Sequence, residues 1–151
     1  MGNDDRAAYA EELRKRGLRV TASRVAVFAA LNELGGHPDA EAVRAAVEAR
    51  LGSISTQAVY DALSVLVAQG LARRIQPAGG PARFETRVHD NHHHLVCRAC
   101  ASVVDVDCVV GEAPCLLPSS SAGFAVDEAE VVFWGLCPRC QAGGQPRPRA
   151  R

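Results

Sequence analysis

Aromatic residues are scarce in this chain: phenylalanine, tyrosine and tryptophan make up 5% of 151 residues, against 48% hydrophobic overall. A core must therefore be built mostly from valine, leucine and alanine, in one domain or two small ones. No apolar run approaches the ~20 residues that cross a bilayer, so a membrane span is not expected. The opening segment, Met1-Gly2-Asn3-Asp4-Asp5-Arg6, is polar and is not a signal peptide. A cytoplasmic location is the resulting expectation. Net charge is absent too, with 17 basic residues balancing 17 acidic ones. That balance argues against nucleic acid as a partner, but distribution matters more than the sum. Arg14, Lys15, Arg16, Arg19 and Arg24 occur with no acid among them, and Arg73, Arg74, Arg83 and Arg87 meet only Glu85. An ordinary solvated face gives the same pattern, so charge alone leaves the question open.

What the chain does contain is cysteine and histidine at metal-ligand spacing. Six cysteines without a secretory signal read first as metal ligands or redox thiols, not as a disulfide framework. Cys97-x-x-Cys100 and Cys137-x-x-Cys140 are two matched knuckles, each with a gap that lets a tight turn aim both sulfurs at one ion. A closed, structural zinc site is the expectation; two redox dithiols are the competing reading. Beside the first knuckle stands His92-His93-His94. In a strand, His92 and His94 share a face while His93 points the other way. An antiparallel return after the knuckle turn brings Asp105 alongside them. His37, in a helix-breaking loop, and Glu85, at the end of a strand, complete a candidate set of nitrogen and oxygen donors, which suit a harder metal than thiolates do. A solvated histidine tract is the bland alternative.

Periodicity places these residues. Helical composition runs over about 5–16 and stops at Gly17. Thr21, Asp39 and Ser55 are the expected N-caps of three further helices, the last running from Thr56 to about Gln69 with Val59, Ala62, Leu63, Leu66 and Val67 on its apolar face. Strands follow at 71–76 and 82–86, joined by Pro77-Ala78-Gly79-Gly80-Pro81. Helices followed by a hairpin make a winged helix-turn-helix, with the fourth helix as recognition helix and the hairpin as wing. Thr56, Gln57 and Tyr60 on that helix, with Arg19 and Arg74, are the candidate DNA contacts, and Asp61 is an awkward neighbour for phosphate. A helical domain without DNA contacts remains the alternative.

The predicted organisation is α+β: a winged-helix domain at 1–88, a hinge at 89–91, a small α/β domain at 92–140 and a disordered basic tail at 141–151. In the second domain the expected strands are 95–97, 103–108 and 124–136. One short helix between Val109 and Ala122 is limited by Pro114 and Pro118.

Together, His37-Pro38, Ser55-x-x-x-Val59-Tyr60, Arg83-Phe84-Glu85, His92-His93-His94-x-x-Cys97-x-x-Cys100, Val104-Asp105 and Gly135-x-Cys137-x-x-Cys140 carry a specific likeness. The chain resembles the ferric uptake regulator family over about residues 6–140. The resemblance implies a homodimeric, metal-dependent repressor of operator DNA, with structural zinc on Cys97, Cys100, Cys137 and Cys140. It places a regulatory iron or manganese ion on His37, Glu85, His92, His94 and Asp105. A third metal site of some members is not implied, because Asn91 and Ala129 stand at two of its histidine positions. Within the family the likeness is to the peroxide-sensing PerR and actinobacterial FurA–CatR type, through Asp105, Asp61 and the segment from Asp107 to Cys115. Glu85, where that type often has aspartate, and one extra residue between Glu85 and His92 set the chain apart from it. The implied mechanism is iron-catalysed oxidation of the ligands His37 or His92, which releases the metal and lowers the DNA-competent population.

Several readings compete with this one. An iron- or zinc-uptake repressor differs in metal selectivity, and a metalloenzyme would turn over excess peroxide instead of being consumed by it. A zinc-ribbon interaction module would bind no duplex in a salt-dependent way. The expectation is a regulator, not an enzyme, with neither membrane nor small-molecule substrate as partner. Cys108 and Cys115 are read as buried small side chains rather than a thiol switch.

Overall fold

A computed structural model describes residues 3–77, 79–88, 90, 92–107, 120, 122–125 and 131–143, the side chains of 3–5 excepted. The chain divides into two compact units, Met1–His89 and Asp90–Arg151. Each has its own sheet.

The first unit contains α1 (Asn3–Lys15), α2 (Ala22–Leu34), α3 (Ala40–Leu51) and α4 (Thr56–Ala68), then strands β1 (Arg73–Ile75) and β2 (Arg83–Glu85). The helix starts are set by side-chain caps. Thr21, Asp39 and Ser55 accept hydrogen bonds from the backbone N–H groups of Arg24, Ala42 and Ala58, satisfying donors that the first turn leaves open. Gly17 ends the α1 turn at φ +68°, with its N–H donating to the Arg14 carbonyl. Between α3 and α4 the chain turns through 112°, within the range of a helix-turn-helix. No described helix is long and apolar enough to cross a membrane.

The sparse aromatic content has the consequence expected for packing. Leu13, Val27, Leu31, Val43, Val47, Val59, Leu63 and Leu66 are fully buried, and Phe84 from β2 joins them. Tyr9 and Phe28 meet edge to face at 5.0 Å on the flank of this cluster. Leu63 is completely enclosed, so Leu63→Ala leaves a cavity and is expected to cost about 2–5 kcal/mol in urea unfolding. A cost well under the lower figure would mean that α4 repacks freely.

The hairpin is shorter than the sequence pattern suggests. Leu71 and Ala72, expected in the first strand, instead donate their N–H groups to the Leu66 carbonyl and bury their side chains. Pairing starts only at Arg73↔Glu85 and runs antiparallel through Arg74↔Phe84 to Ile75↔Arg83. Ala78, in the connecting turn, lies outside the described residues.

The second unit is built on β3 (His92–Cys97), β4 (Val103–Asp107) and β5 (Val132–Gly135), with α5 (Pro138–Ala142) after them. The order is β4-β3-β5, with β3 antiparallel to β4 and parallel to β5. The first strand is longer than the expected 95–97: it starts at His92 because β4 is long enough to pair His92 with Asp107. The last is shorter than the expected 124–136. Ala122 and Gly123 turn at φ +46° and +85°, and Phe124 is exposed, so no strand starts there. Gln141 and Ala142, assigned to the tail from composition, close α5 instead. The segment expected to hold one short helix lies largely outside the described residues, as do Cys108, Cys115, Asn91, Ala129 and residues 144–151 of the tail.

Period-two alternation gives this sheet two unlike faces. Leu95, Val104 and Phe133 form one row across it and are 43, 58 and 38% exposed. His93 lies on that face, with its ring 6.1 Å from Phe133. His92, His94 and Asp105 project from the other.

Candidate metal centres and nucleic-acid interface

The knuckle site follows from the direction of two strands. Because β3 and β5 run parallel, with Cys97 opposite Gly135, both chains leave the sheet at the same end. Each then makes a knuckle there. Arg98, Ala99 and Cys100 form the first turn, closed by the Ala101 N–H donating to the Cys97 carbonyl at 2.9 Å. Ala101 sits at φ +56°, a conformation that costs a side-chain-bearing residue about 1–2 kcal/mol. In the second, Pro138 opens α5 at the position where a missing N–H does no harm, and Cys140 rides on that helix. The Arg98 N–H donates to the Gly135 carbonyl at 2.8 Å, tying the two turns together.

The sulfur atoms of Cys97, Cys100, Cys137 and Cys140 all lie within 4.8 Å of one another, and those of Cys100 and Cys137 are 3.7 Å apart. A tetrahedron with zinc–sulfur bonds of ~2.3 Å has sulfur–sulfur edges of about 3.8 Å. The four donors therefore fit a zinc ion. Their surroundings favour thiolate at the first knuckle. Hydrogen bonds from the Ser102 hydroxyl and backbone bring the Cys100 thiol down to about 5. The Cys137 N–H, 3.3 Å from the Cys97 sulfur, leads the causes that lower Cys97. Cys140 is pushed up to about 12, chiefly by its hydrogen bond with Cys137 and then by burial. Accumulating negative charge resists the last ionisation, and a divalent cation relieves that conflict.

The nitrogen and oxygen donors occur in two groups, one in each unit. In the first unit, the loop carrying His37 is stitched to β2. Phe84 donates its N–H to the Pro38 carbonyl, and Arg83 donates through Nη1 to the His37 carbonyl, both at 2.9 Å. Asp39 and Arg83 also form an isolated antiparallel bridge. This seam puts His37 Nε2 3.0 Å from Glu85 Oε2, with side chains only 3 and 2% exposed. Arg73, opposite Glu85 in the hairpin, brings its Nε to 4.0 Å from the other carboxylate oxygen.

In the second unit, His94 and Asp105 are direct partners across the β3–β4 pair. Asp105 Oδ1 is 3.7 Å from His94 Nε2 and 3.9 Å from His92 Nε2. The two rings stand 5.0 Å apart at 80°. Donors bound at ~2.1 Å to one metal are separated by about 3.0–3.5 Å, a spacing that His94 Nε2 and Asp105 Oδ1 approach at 3.7 Å, whereas His92 falls outside the set of donors that lie within 4.8 Å of one another. The alternation expected of the histidine run is borne out: the middle imidazole faces away, toward Phe133.

The DNA-contact candidates lie in the first unit. Thr56, Gln57 and Tyr60 are exposed at the N-terminal end of α4, and Arg19 and Arg74 are exposed on the α1–α2 connection and on β1. Asp61 is partly occupied by its own helix, accepting from Gln57 Nε2 at 2.7 Å. Arg24 Nη1 donates to the Arg19 carbonyl at 2.8 Å, and Arg74 Nη2 to Gln76 at 2.5 Å. Sequence reasoning missed two supporting residues: Arg83, which holds the His37 loop, and Asp90, whose Oδ1 lies 2.9 Å from His92 Nδ1. An acid two residues before a candidate ligand histidine was the available signal for Asp90.

The model of the ferric uptake regulator family matches residues 15–131. The chain belongs to this family. It is 55% identical over 139 residues to the transcriptional regulator FurA of Mycobacterium tuberculosis, covering 92% of this chain and 94% of that protein. It is 28% identical over 130 residues to the peroxide operon regulator of Bacillus subtilis, covering 86 and 89%. Among solved structures, the ferric uptake regulator from Pseudomonas aeruginosa with manganese is similar at a TM-score of 0.63 and 27% identity, over 85% of this chain and 96% of that one. This family member is a transcriptional regulator with a winged-helix fold, a cysteine cluster and histidine–carboxylate groups suited to metal.

Proposed function

We propose that this regulator is a cytoplasmic, homodimeric repressor that binds operator DNA when metal-loaded and senses peroxide by oxidation of its own histidine ligands. The observation that carries the proposal is the β3–β4 register, which sets His92 and His94 on one sheet face against Asp105. The family pattern joins these three to the buried His37–Glu85 pair as ligands of a single Fe2+ or Mn2+, with Cys97, Cys100, Cys137 and Cys140 holding structural Zn2+. Fe2+ held there would supply the electron that opens the peroxide O–O bond beside its ligands; in the net change one peroxide oxygen enters an imidazole ring and the other leaves as water, so the ring is oxidised and the peroxide reduced. His37 and His92 are the side chains that take up oxygen. An imidazole so oxidised would be a poorer donor, metal affinity would drop, and the DNA-competent population would fall. Arg19, Thr56, Gln57, Tyr60 and Arg74 form the DNA-contact surface, with the arginines on phosphate and the α4 residues reaching base edges.

The FurA likeness at 55% identity and the more distant likeness to the peroxide operon regulator both support this reading. The test is a peptide mass spectrum of Fe2+-loaded and Mn2+-loaded protein after a brief, low peroxide pulse. One added oxygen on His37 or His92 in the iron form alone is the expected result. No addition in either form sinks peroxide sensing and leaves an iron- or zinc-responsive repressor. Loss of duplex binding with salt, steepening by about 0.9 log units per phosphate contact, checks the DNA arm independently.

A further inference from the structure

We infer that Asp90 is a positioning residue for the regulatory metal, holding the His92 imidazole in the tautomer and orientation that present Nε2 as the ligand atom. The inference rests on the proposed assignment of His92 as a metal ligand. Asp90 Oδ1 lies 2.9 Å from His92 Nδ1. A carboxylate at that distance accepts the Nδ1–H, so the ring's lone pair resides on Nε2. That nitrogen is the one facing Asp105, at 3.9 Å, on the sheet face that also carries His94.

Two features make the contact more than an incidental surface pair. The first is the contrast in burial: the His92 side chain is fully buried, whereas the Asp90 side chain is 42% exposed. The imidazole has therefore lost its water, and the carboxylate retains enough hydration to remain a strong acceptor. The second is placement. Asp90 stands two residues before the first residue of β3, close enough in the chain for its carboxylate to meet the His92 ring. It meets the ring at Nδ1, leaving Nε2 as the nitrogen that faces Asp105. Histidine imidazoles in water prefer the proton on Nε2. Without Asp90, the proton would occupy the position from which the metal must be bound. Carboxylate–imidazole–metal arrangements of this kind set ring orientation and ligand strength elsewhere.

The test uses full-length, zinc-replete protein with Asp90→Ala, Asp90→Asn and His92→Ala, and Mn2+ as the probe. Affinity is followed through the free Mn2+ signal in electron paramagnetic resonance. The His92 tautomer is read from multiple-bond 1H–15N spectra before Mn2+ is added. Asp90→Ala is expected to weaken Mn2+ binding about 10–100-fold and to move the His92 proton from Nδ1 to Nε2. Asp90→Asn, whose amide oxygen also accepts a hydrogen bond, restores most of both. If His92→Ala abolishes binding but Asp90→Ala leaves affinity and tautomer as in the wild type, the positioning role is overturned while the ligand assignment stands. The same conclusion follows if both Asp90 variants weaken binding equally with the tautomer unmoved. If His92→Ala binds Mn2+ normally, the ligand assignment fails and takes this inference with it.

Discussion

Cys100→Ala is expected to abolish zinc retention and with it the ordered second unit. Structural zinc sites contribute roughly 10–16 kcal/mol of apparent binding free energy, as much as the 5–15 kcal/mol by which whole domains are stable. Among its described residues the unit has little else to hold it. Its described sheet has three short strands, one face of that sheet exposes Leu95, Val104 and Phe133, and its ends are joined at the two knuckles. Trp134 reports the event cleanly, because it is the chain's single tryptophan and lies on β5, with the Arg98 guanidinium 5.0 Å over its ring. Zinc content by atomic absorption should fall to zero per chain, and the tryptophan emission should shift toward that of water-exposed indole. Zinc loss with unchanged emission and an unchanged melting curve would show that the sulfur cluster is dispensable for folding.

The second large effect is expected from His94→Ala, paired with His93→Ala as its control. The neighbours differ in sequence by one position and in structure by the whole thickness of the sheet. His94 Nε2 stands 3.7 Å from Asp105 on one face, and His93 packs toward Phe133 on the other. If His94 is a direct ligand, as proposed, its removal should weaken Mn2+ binding by more than the roughly 10–100-fold that loss of an outer partner costs. The His93 variant should bind Mn2+ like the wild type and lose stability instead, since a buried ring is deleted from the sheet. Isothermal titration with Mn2+, alongside thermal melts, separates the two. Equal losses of affinity in both variants would sink the assignment of the ligand face.

Much of the first unit was legible because its signals are local. A cap side chain and the helix it starts lie three residues apart, so Thr21, Asp39 and Ser55 announce α2, α3 and α4 directly. The hairpin was less so. Leu71 and Ala72 look like strand residues by composition, but the carbonyl of Leu66 captures their N–H groups before a partner strand can. Phe124 was misread for a related reason: an apolar residue in a run says nothing about the turn at Ala122 and Gly123 that precedes it.

The donor atoms themselves are a property of the sequence. Spacing alone pairs Cys97 with Cys100 and Cys137 with Cys140, and strand alternation alone separates His93 from His92 and His94, because both rules operate within a few residues. Tertiary structure decided what those donors meet. The parallel pairing of β3 with β5 brings two knuckles 40 residues apart to one end of a sheet, where an antiparallel pairing would have left them at opposite ends. The β3–β4 register chose Asp105 as the partner of His94, and a one-residue slip would have turned its carboxylate to the other face. Likewise the seam between the His37 loop and β2 closed a separation of 48 residues to 3.0 Å. Such contacts depend on chain direction and register, which are set by the packing of whole strands and are written in no single stretch of the sequence.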